Sequence, residues 1–228
     1  MKKLAILFAL LGVVGAANAA VLTHGSVGVG HGVQVPGKDS APCNGTQLLN
    51  YDGSAENGFC WQYGGIVPPN YGAFAECYNY TGNVCGIALY LTGIGNPAQP
   101  ATLFIWNDNG GMPGTVITQA NGTPSGVPIW PSIGEFDFPI AANVTGAYWT
   151  GYWANFANQG CGYFVAADLN GFGGCPMTNI APGIGYPTGW NNVSVVWGAT
   201  QAIGIGSWIG VPVPTKETTW GQVKHLYN

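Results

Sequence analysis

Residues 86–92 read Gly86-Ile87-Ala88-Leu89-Tyr90-Leu91-Thr92. In an extended chain Ile87, Leu89 and Leu91 fall on one side and Ala88, Tyr90 and Thr92 on the other, which is the period of a strand with one buried face. Residues 147–154, Ala147-Tyr148-Trp149-Thr150-Gly151-Tyr152-Trp153-Ala154, are large on both sides, as expected of a central strand. Working outward, similar short runs occur at Ala101–Trp106, Gly114–Thr118, Gly134–Pro139, Gly162–Ala166, Val193–Trp197 and Ala202–Ile209. The 38 glycines and 16 prolines recur so often that no window supports a helix before the last ten residues. Short strands with turn signals between them predict an all-β fold, a single β-sandwich of jelly-roll type.

The flanks read differently. Met1-Lys2-Lys3, an apolar stretch from Leu4 to Val14 and the triplet Ala17-Asn18-Ala19 form a secretory signal peptide, with cleavage expected after Ala19. The apolar stretch is shorter than the roughly 20 residues of a spanning helix. No later segment is apolar and unbroken enough to span a bilayer, so no membrane span is expected in the mature protein. Residues 20–42 form a Gly- and Val-rich strand and linker, 43–210 the sandwich, and 211–228 a Pro-rich linker and tail. Within Ser26–Val35, strict alternation places Val27, Val29, His31, Val33 and Val35 on one face and Ser26, Gly28, Gly30, Gly32 and Gln34 on the other. That pattern predicts an extended strand whose valines enter a narrow apolar groove, in its own sheet or in a neighbouring copy of the chain. In the tail, Trp220, Val223, Leu226 and Tyr227 recur at one-turn spacing behind Thr218 and Thr219, which predicts a short capped helix.

Six cysteines, Cys43, Cys60, Cys77, Cys85, Cys161 and Cys175, lie beyond the signal. An even number in an exported chain reads as disulfides, and pairing between sequence neighbours (43–60, 77–85, 161–175) is expected to staple the loops. Between Asp39 and Thr215 there is no Lys, Arg or His. Nucleic acid and anionic lipid therefore have nothing to hold in the core.

The same gap removes Ser–His, Cys–His and Schiff-base lysine chemistry, so no enzymatic activity is expected. Carboxylate pairs remain. Glu135 and Asp137 alternate onto one strand face roughly 7 Å apart, a spacing within glycosidase range, but Phe136 and Phe138 mark the opposite face as the buried one and leave the acids facing water. Asp52 with Glu56, and Asp108 with Asn109, offer hard oxygen ligands beside glycines, and calcium is the cofactor they would take. Turn chemistry is the competing account of both, because Asp and Asn bond their own backbone. Among the tryptophans, Trp106, Trp149, Trp153 and Trp197 lie in apolar runs and are expected in the core. Trp61, Trp130 and Trp190 lie among Gly, Pro and Asn and are expected to be exposed ligand-binding aromatics.

Three segments carry a likeness: Leu49-Asn50-Tyr51-Asp52-Gly53-Ser54-Ala55-Glu56-Asn57-Gly58, Gly72-Ala73-Phe74-Ala75, and Ile105-Trp106-Asn107-Asp108-Asn109-Gly110-Gly111-Met112-Pro113-Gly114-Thr115. Together they resemble a β-sandwich domain of uncharacterised secreted bacterial surface proteins. Members of that group show a Tyr-Asp-Asp-Gly opening, an Asp-x-Gly-Gly-x-Pro-Gly-Thr hairpin and a late Gly-Trp, which Gly189-Trp190 matches. The likeness spans Thr46 to Gly210 and implies a non-catalytic part of an exported protein. This chain departs from it at Asn50, where an acid is common, and in its extra cysteines. The segment Thr219 to Tyr227 is similar to a Trp-Gly-x-x-Lys-x-Leu-Tyr ending of exported bacterial proteins. The expected function is a secreted structural or adhesive protein of the cell surface, partnered by copies of itself or by surface glycans. The alternative is a glycan-binding module.

Overall fold

The structure is a computed structural model that describes residues 23–35, 41–62, 70–156 and 160–211. The signal peptide, the Pro36-Gly37 break, the Pro-rich linker and the capped C-terminal helix lie outside the described residues. The strands are β1 (Thr23–Ser26), β2 (Gly32–Gln34), β3 (Asn44–Leu48), β4 (Ser54–Ala55), β5 (Asn57–Gln62), β6 (Phe74–Asn79), β7 (Gly82–Thr92) and β8 (Ala101–Asp108). They continue with β9 (Pro113–Gly122), β10 (Ser132–Val144), β11 (Ala147–Ala154), β12 (Phe164–Asp168), β13 (Met177–Ile180), β14 (Gly189–Asn192), β15 (Ala202–Ile203) and β16 (Ile205–Val211). One helical turn, α1 (Ser194–Trp197), completes the set.

The strands form two sheets, and the all-β sandwich is thereby observed. The ten-stranded sheet runs β1-β5-β12-β7-β10-β2-β4, with β15 on β12 and β16 between β7 and β3. The six-stranded sheet runs β14-β13-β6-β11-β8-β9. In the larger sheet β1 pairs with β5 and β2 with β4, while β2 also pairs with β10. Because β1 leads into β2 and β4 into β5, the pairing path at this end closes on itself through β12 and β7. Closure removes an exposed edge that another chain could extend.

The main core lies between the sheets. Ile87, Leu89 and Leu91 of β7 meet Leu103 and Ile105 of β8 and Tyr148 and Tyr152 of β11 there, but Ala88, Tyr90 and Thr92 are buried as well, so β7 is covered on both faces and not on one. Buried polar bonds cross the same layer. Trp61 Nε1 donates to Thr178 Oγ1 (2.7 Å), Tyr78 donates to the Ile205 carbonyl (2.5 Å), and the Tyr148 and Ser207 hydroxyls pair at 2.8 Å. These bonds fix the register of one sheet on the other, since any slip would strand a buried donor.

All six cysteines are bridged, but the neighbour pairing is overturned. The bonds are Cys43–Cys85, Cys60–Cys161 and Cys77–Cys175, spanning 42, 101 and 98 residues. The reason is topological. Cys77 and Cys85 sit on β6 and β7, consecutive strands that enter different sheets, and Cys161 and Cys175 precede β12 and β13, which also separate. Cys43 precedes β3, at one border of the larger sheet, while Cys60 lies on β5 across it.

The segment 26–35 is not one strand, and within its own sheet its valines do not share one buried face. It belongs to the larger sheet as the end of β1 and as β2, with a break between them. Only Gly32 of the glycine face is buried: a Cβ on it would stand 2.5 Å from Ile133 Cδ1 and 2.8 Å from the Trp130 ring, and Gly30 lies against the same indole. Val29 and Val33 face out, 82% and 56% exposed, with His31 exposed and Val27 and Val35 half-buried. Backbone pressed directly on an indole leaves no room for a side chain at Gly30 and Gly32.

Val193–Trp197, expected as a strand, is α1 and the residue before it. Asn192 Oδ1 accepts bonds from Ser194 N (2.9 Å) and Ser194 Oγ (2.5 Å), a side-chain-to-backbone turn that competes with strand pairing. The turn delivers Trp197 to Phe59, with ring centroids 4.8 Å apart.

Candidate functional site

Strand alternation gives β8 and β11 a second apolar face, pointing away from the main core. Phe104 and Trp106 of β8, Trp149 of β11 and Ala75 of β6 form a buried cluster there, with Trp153, Met177 and Trp190 packed against it. Phe104 and Trp106 stack at 5.0 Å, and Trp190 meets Trp106 edge-on at 5.4 Å. The strands beneath are drawn close by Gly151, where a Cβ would stand 2.0 Å from the Phe74 carbonyl oxygen. Gly189, at φ 90°, starts β14 in a conformation that other residues rarely adopt and so sets the direction of Trp190.

Beside Trp190 lies a groove of about 430 Å³, lined also by Asn70, Tyr71, Val116, Asn179 and the buried Trp106. Both edges of the sheet contribute, Trp190 from β14 and Val116 from β9. The indoles are held by their polar ends: Trp149 Nε1 donates to Asp108 Oδ1 (2.8 Å) and Trp153 Nε1 to the Tyr71 carbonyl (2.9 Å). Asn70 takes a positive φ of 61°, which asparagine tolerates, and its carbonyl accepts from Asn179 Nδ2 at 3.4 Å. No charged side chain lines the groove.

The three tryptophans expected to bind ligand are not brought together. Trp61 is buried, 2% exposed, and belongs to the core, because β5 runs through the centre of the fold where a loop was expected. Trp130 is half-buried and covers Ile133, Tyr90 and Ala55 on the outside of the larger sheet. Trp190 alone of the three reaches the groove. Trp106, expected in the core on sequence, is 4% exposed and belongs to the buried cluster, as expected.

The candidate calcium ligands are engaged by backbone. Asp52 Oδ1 accepts from Ser54 N (2.7 Å) and Ser54 Oγ (2.8 Å), and Glu56 Oε2 accepts from Leu169 N (2.8 Å). Asp168, which the sequence did not single out, joins them by accepting from Asp52 N (3.2 Å), Asn170 N (3.0 Å) and Gly171 N (2.6 Å). Burial raises its pKa while those donors oppose the rise. Asp108 accepts from Gly111 N at 3.1 Å, closing the turn that contains Asn109. Asp52 and Asp108 close local turns, whereas Glu56 and Asp168 tie the 52–56 segment to the end of β12.

Among the described residues, the group whose ligand atoms converge within 4.8 Å of one another is Glu76 with Cys77 and Cys175, the two sulfurs being bonded to each other. Glu76 is fully buried and accepts from Cys175 N (2.5 Å), Asn50 Nδ2 (3.1 Å) and Ile203 N (3.2 Å). Burial outweighs these donors and raises its pKa from 4.5 to about 7. The described residues contain no Lys or Arg to offset it.

Glu135 and Asp137 share a face as expected, opposite the buried Phe136 and Phe138. Each is held by its own side-chain donor, Gln47 Nε2 at 2.7 Å and Trp208 Nε1 at 2.6 Å. Three long-range disulfides fit an extracellular or otherwise non-cytoplasmic protein. Among the described residues no helix is long and apolar enough to cross a membrane. Comparison with protein-family models, with curated proteins and with solved structures finds no match to this chain.

Proposed function

We propose that the protein is a non-catalytic extracellular adhesive domain that holds neutral saccharide in the groove beside Trp190. The observation that carries this reading is the groove itself: the half-buried Trp190 indole at its wall, the amides of Asn70 and Asn179, and no charged side chain. The C–H faces of a sugar ring pack on aromatic rings, and its hydroxyls pair with amides and backbone carbonyls. The lack of Lys or Arg in the described residues disfavours acidic polysaccharide as the ligand. Affinity electrophoresis through gels containing neutral polysaccharides tests the reading. Retardation that is lost in Trp190→Ala, with the fold kept, is the expected result. Free migration through every neutral polysaccharide would sink it.

Assembly of copies through 26–35 is a second reading, favoured by the outward Val29 and Val33. Deletion of the segment is a poor test, because Gly30 and Gly32 also seat Trp130. Val29→Asp with Val33→Asp leaves that seat intact. Sedimentation should then show the assembly lost, and an unchanged sedimentation coefficient rules the reading out.

A further inference from the structure

The Cys77–Cys175 bridge is unlike the other two. Cys43, Cys85, Cys60 and Cys161 are all buried, whereas Cys77 and Cys175 are half-exposed and form part of the wall of a cleft of about 620 Å³. The cleft is lined by uncharged residues, among them Gln47, Leu48, Asn50 and Asn79. Strand β13 pairs with β6 only at Phe74 and Ala75, so residues 174–175 cross the edge of β6 just beyond that pairing. The crossing sets two polar groups against the bridge. The Cys77 N–H donates to Cys175 Sγ at 3.0 Å, and the Glu76 carboxyl lies within 4.8 Å of both sulfurs while accepting from Cys175 N.

We propose that Cys77–Cys175 is a thiol-exchange site, at which an uncharged thiol attacks Cys77 Sγ and Cys175 leaves under proton transfer from Glu76. The incoming thiolate forms a new S–S bond to Cys77 as the Cys77–Cys175 bond breaks, and the electron pair of that bond goes to Cys175 Sγ. The Cys77 N–H stabilises the nascent thiolate, and the protonated Glu76 carboxyl gives it a proton and becomes a carboxylate. Resolution runs in reverse: Glu76 takes the proton back, the Cys175 thiolate attacks Cys77 Sγ and the thiol departs. No external oxidant or reductant is consumed in that cycle, while a second equivalent of thiol completes the reduction and leaves as its own disulfide. Burial keeps a large share of Glu76 protonated near neutrality, which suits it to donate. The titratable group beside it on β6 is Tyr78, itself raised well above its ordinary value by burial. Strand β11 presents Thr150 opposite Glu76, and β15 a backbone N–H.

The test uses the folded, oxidised protein, mercaptoethanol or an uncharged cysteine peptide, and alkylation followed by peptide mass spectrometry. Cys77 and Cys175 should be labelled at least ten-fold before the other four cysteines, with the thiol trapped on Cys77. The rate per thiolate should fall as pH rises through neutrality, and Glu76→Gln should remove that fall. The wild-type profile is decisive alone if the variant does not fold. A peptide faster than mercaptoethanol assigns the site to protein thiols, and equal rates assign it to small ones. Simultaneous opening of all three bridges, or trapping on Cys175, overturns the proposal. So does a rate per thiolate that is flat with pH in the wild type.

Discussion

The outer faces of the two sheets start from the same kind of sequence and end differently. On the ten-stranded sheet, Ala88, Tyr90, Ile133 and Ala166 are covered by the chain itself, through Leu49, Tyr51, Trp130 and Trp208. The acids on that face are met by Gln47 and Trp208. On the six-stranded sheet, Phe104, Trp106 and Trp149 are closed over by residues of neighbouring strands, and a groove remains. A sheet with two apolar faces needs two covers. Where the chain's own cover is complete the face is structural, and where the cover leaves a groove the groove is free to take a ligand.

The sharpest way to break this contrast is through the disulfides. Replacing Cys60 and Cys161 with alanine removes a buried bridge closing 101 residues and leaves a cavity. The expected loss is roughly 3 to 5 kcal/mol, seen as a lower denaturant midpoint. Replacing Cys77 and Cys175 opens a loop of similar length, 98 residues, but at a half-exposed place, and should cost less. If the second pair costs more, the open face is as structural as the covered one.

Next in size is a pH effect. Glu76 has a folded pKa of about 7 against an ordinary 4.5. Between those values the fold keeps a proton that the unfolded chain releases, so its contribution is complete below the lower value and is lost as pH rises through the upper. On the order of 3 kcal/mol is at stake. Asp168, also raised by burial, adds in the same direction. Thermal midpoints should therefore be higher at pH 5 than at pH 8, with the slope reduced in Glu76→Gln. A midpoint that rises with pH would contradict the burial of Glu76 without a cation.

Smaller again is the effect of crowding the covered face. Gly32→Ala drives a methyl into Ile133 and Trp130, at a cost of about 1 to 3 kcal/mol. Chemical denaturation measures it directly, and a neutral result would mean that β2 can lift away from the sheet.

Much of this division was legible in the sequence and part of it was not. Alternation at 86–92 identified β7 and the side that faces the main core, because period two is a local property, but it missed that Ala88, Tyr90 and Thr92 on the other side are buried too. Residues 26–35 alternate as strictly, yet neither side is uniformly buried: Gly32 is pressed under the distant Trp130 indole, Val27 packs on the main core and Gly28 is open. The cysteine pairing failed for a related reason: whether consecutive strands share a sheet is not written in the spacing between them. Glu76 drew no attention on sequence because one acid between two alanine- and cysteine-bearing positions looks like any solvent-facing residue. A hint was present in Phe74-Ala75-Glu76-Cys77-Tyr78, where the acid stands on the same side of the strand as Phe74 and Tyr78.

Trp190→Ala should be the mildest of these changes to stability and the most telling for function. Trp190 is half-buried, lies on the four-residue edge strand β14 and contacts Trp106 edge-on. Losing that contact forfeits one aromatic pair and part of the burial of Trp106, roughly 1 kcal/mol against the larger costs above. Calorimetry of unfolding should show a small shift, while retention on neutral polysaccharide should disappear, because the wall on which a sugar ring would rest is gone. Trp130→Ala is the matched control on the covered face. It removes the indole that Gly30 and Gly32 rest on, so it should cost more stability and leave binding intact. The opposite pattern, with Trp190 needed for folding and Trp130 for binding, would reverse the assignment of the two faces.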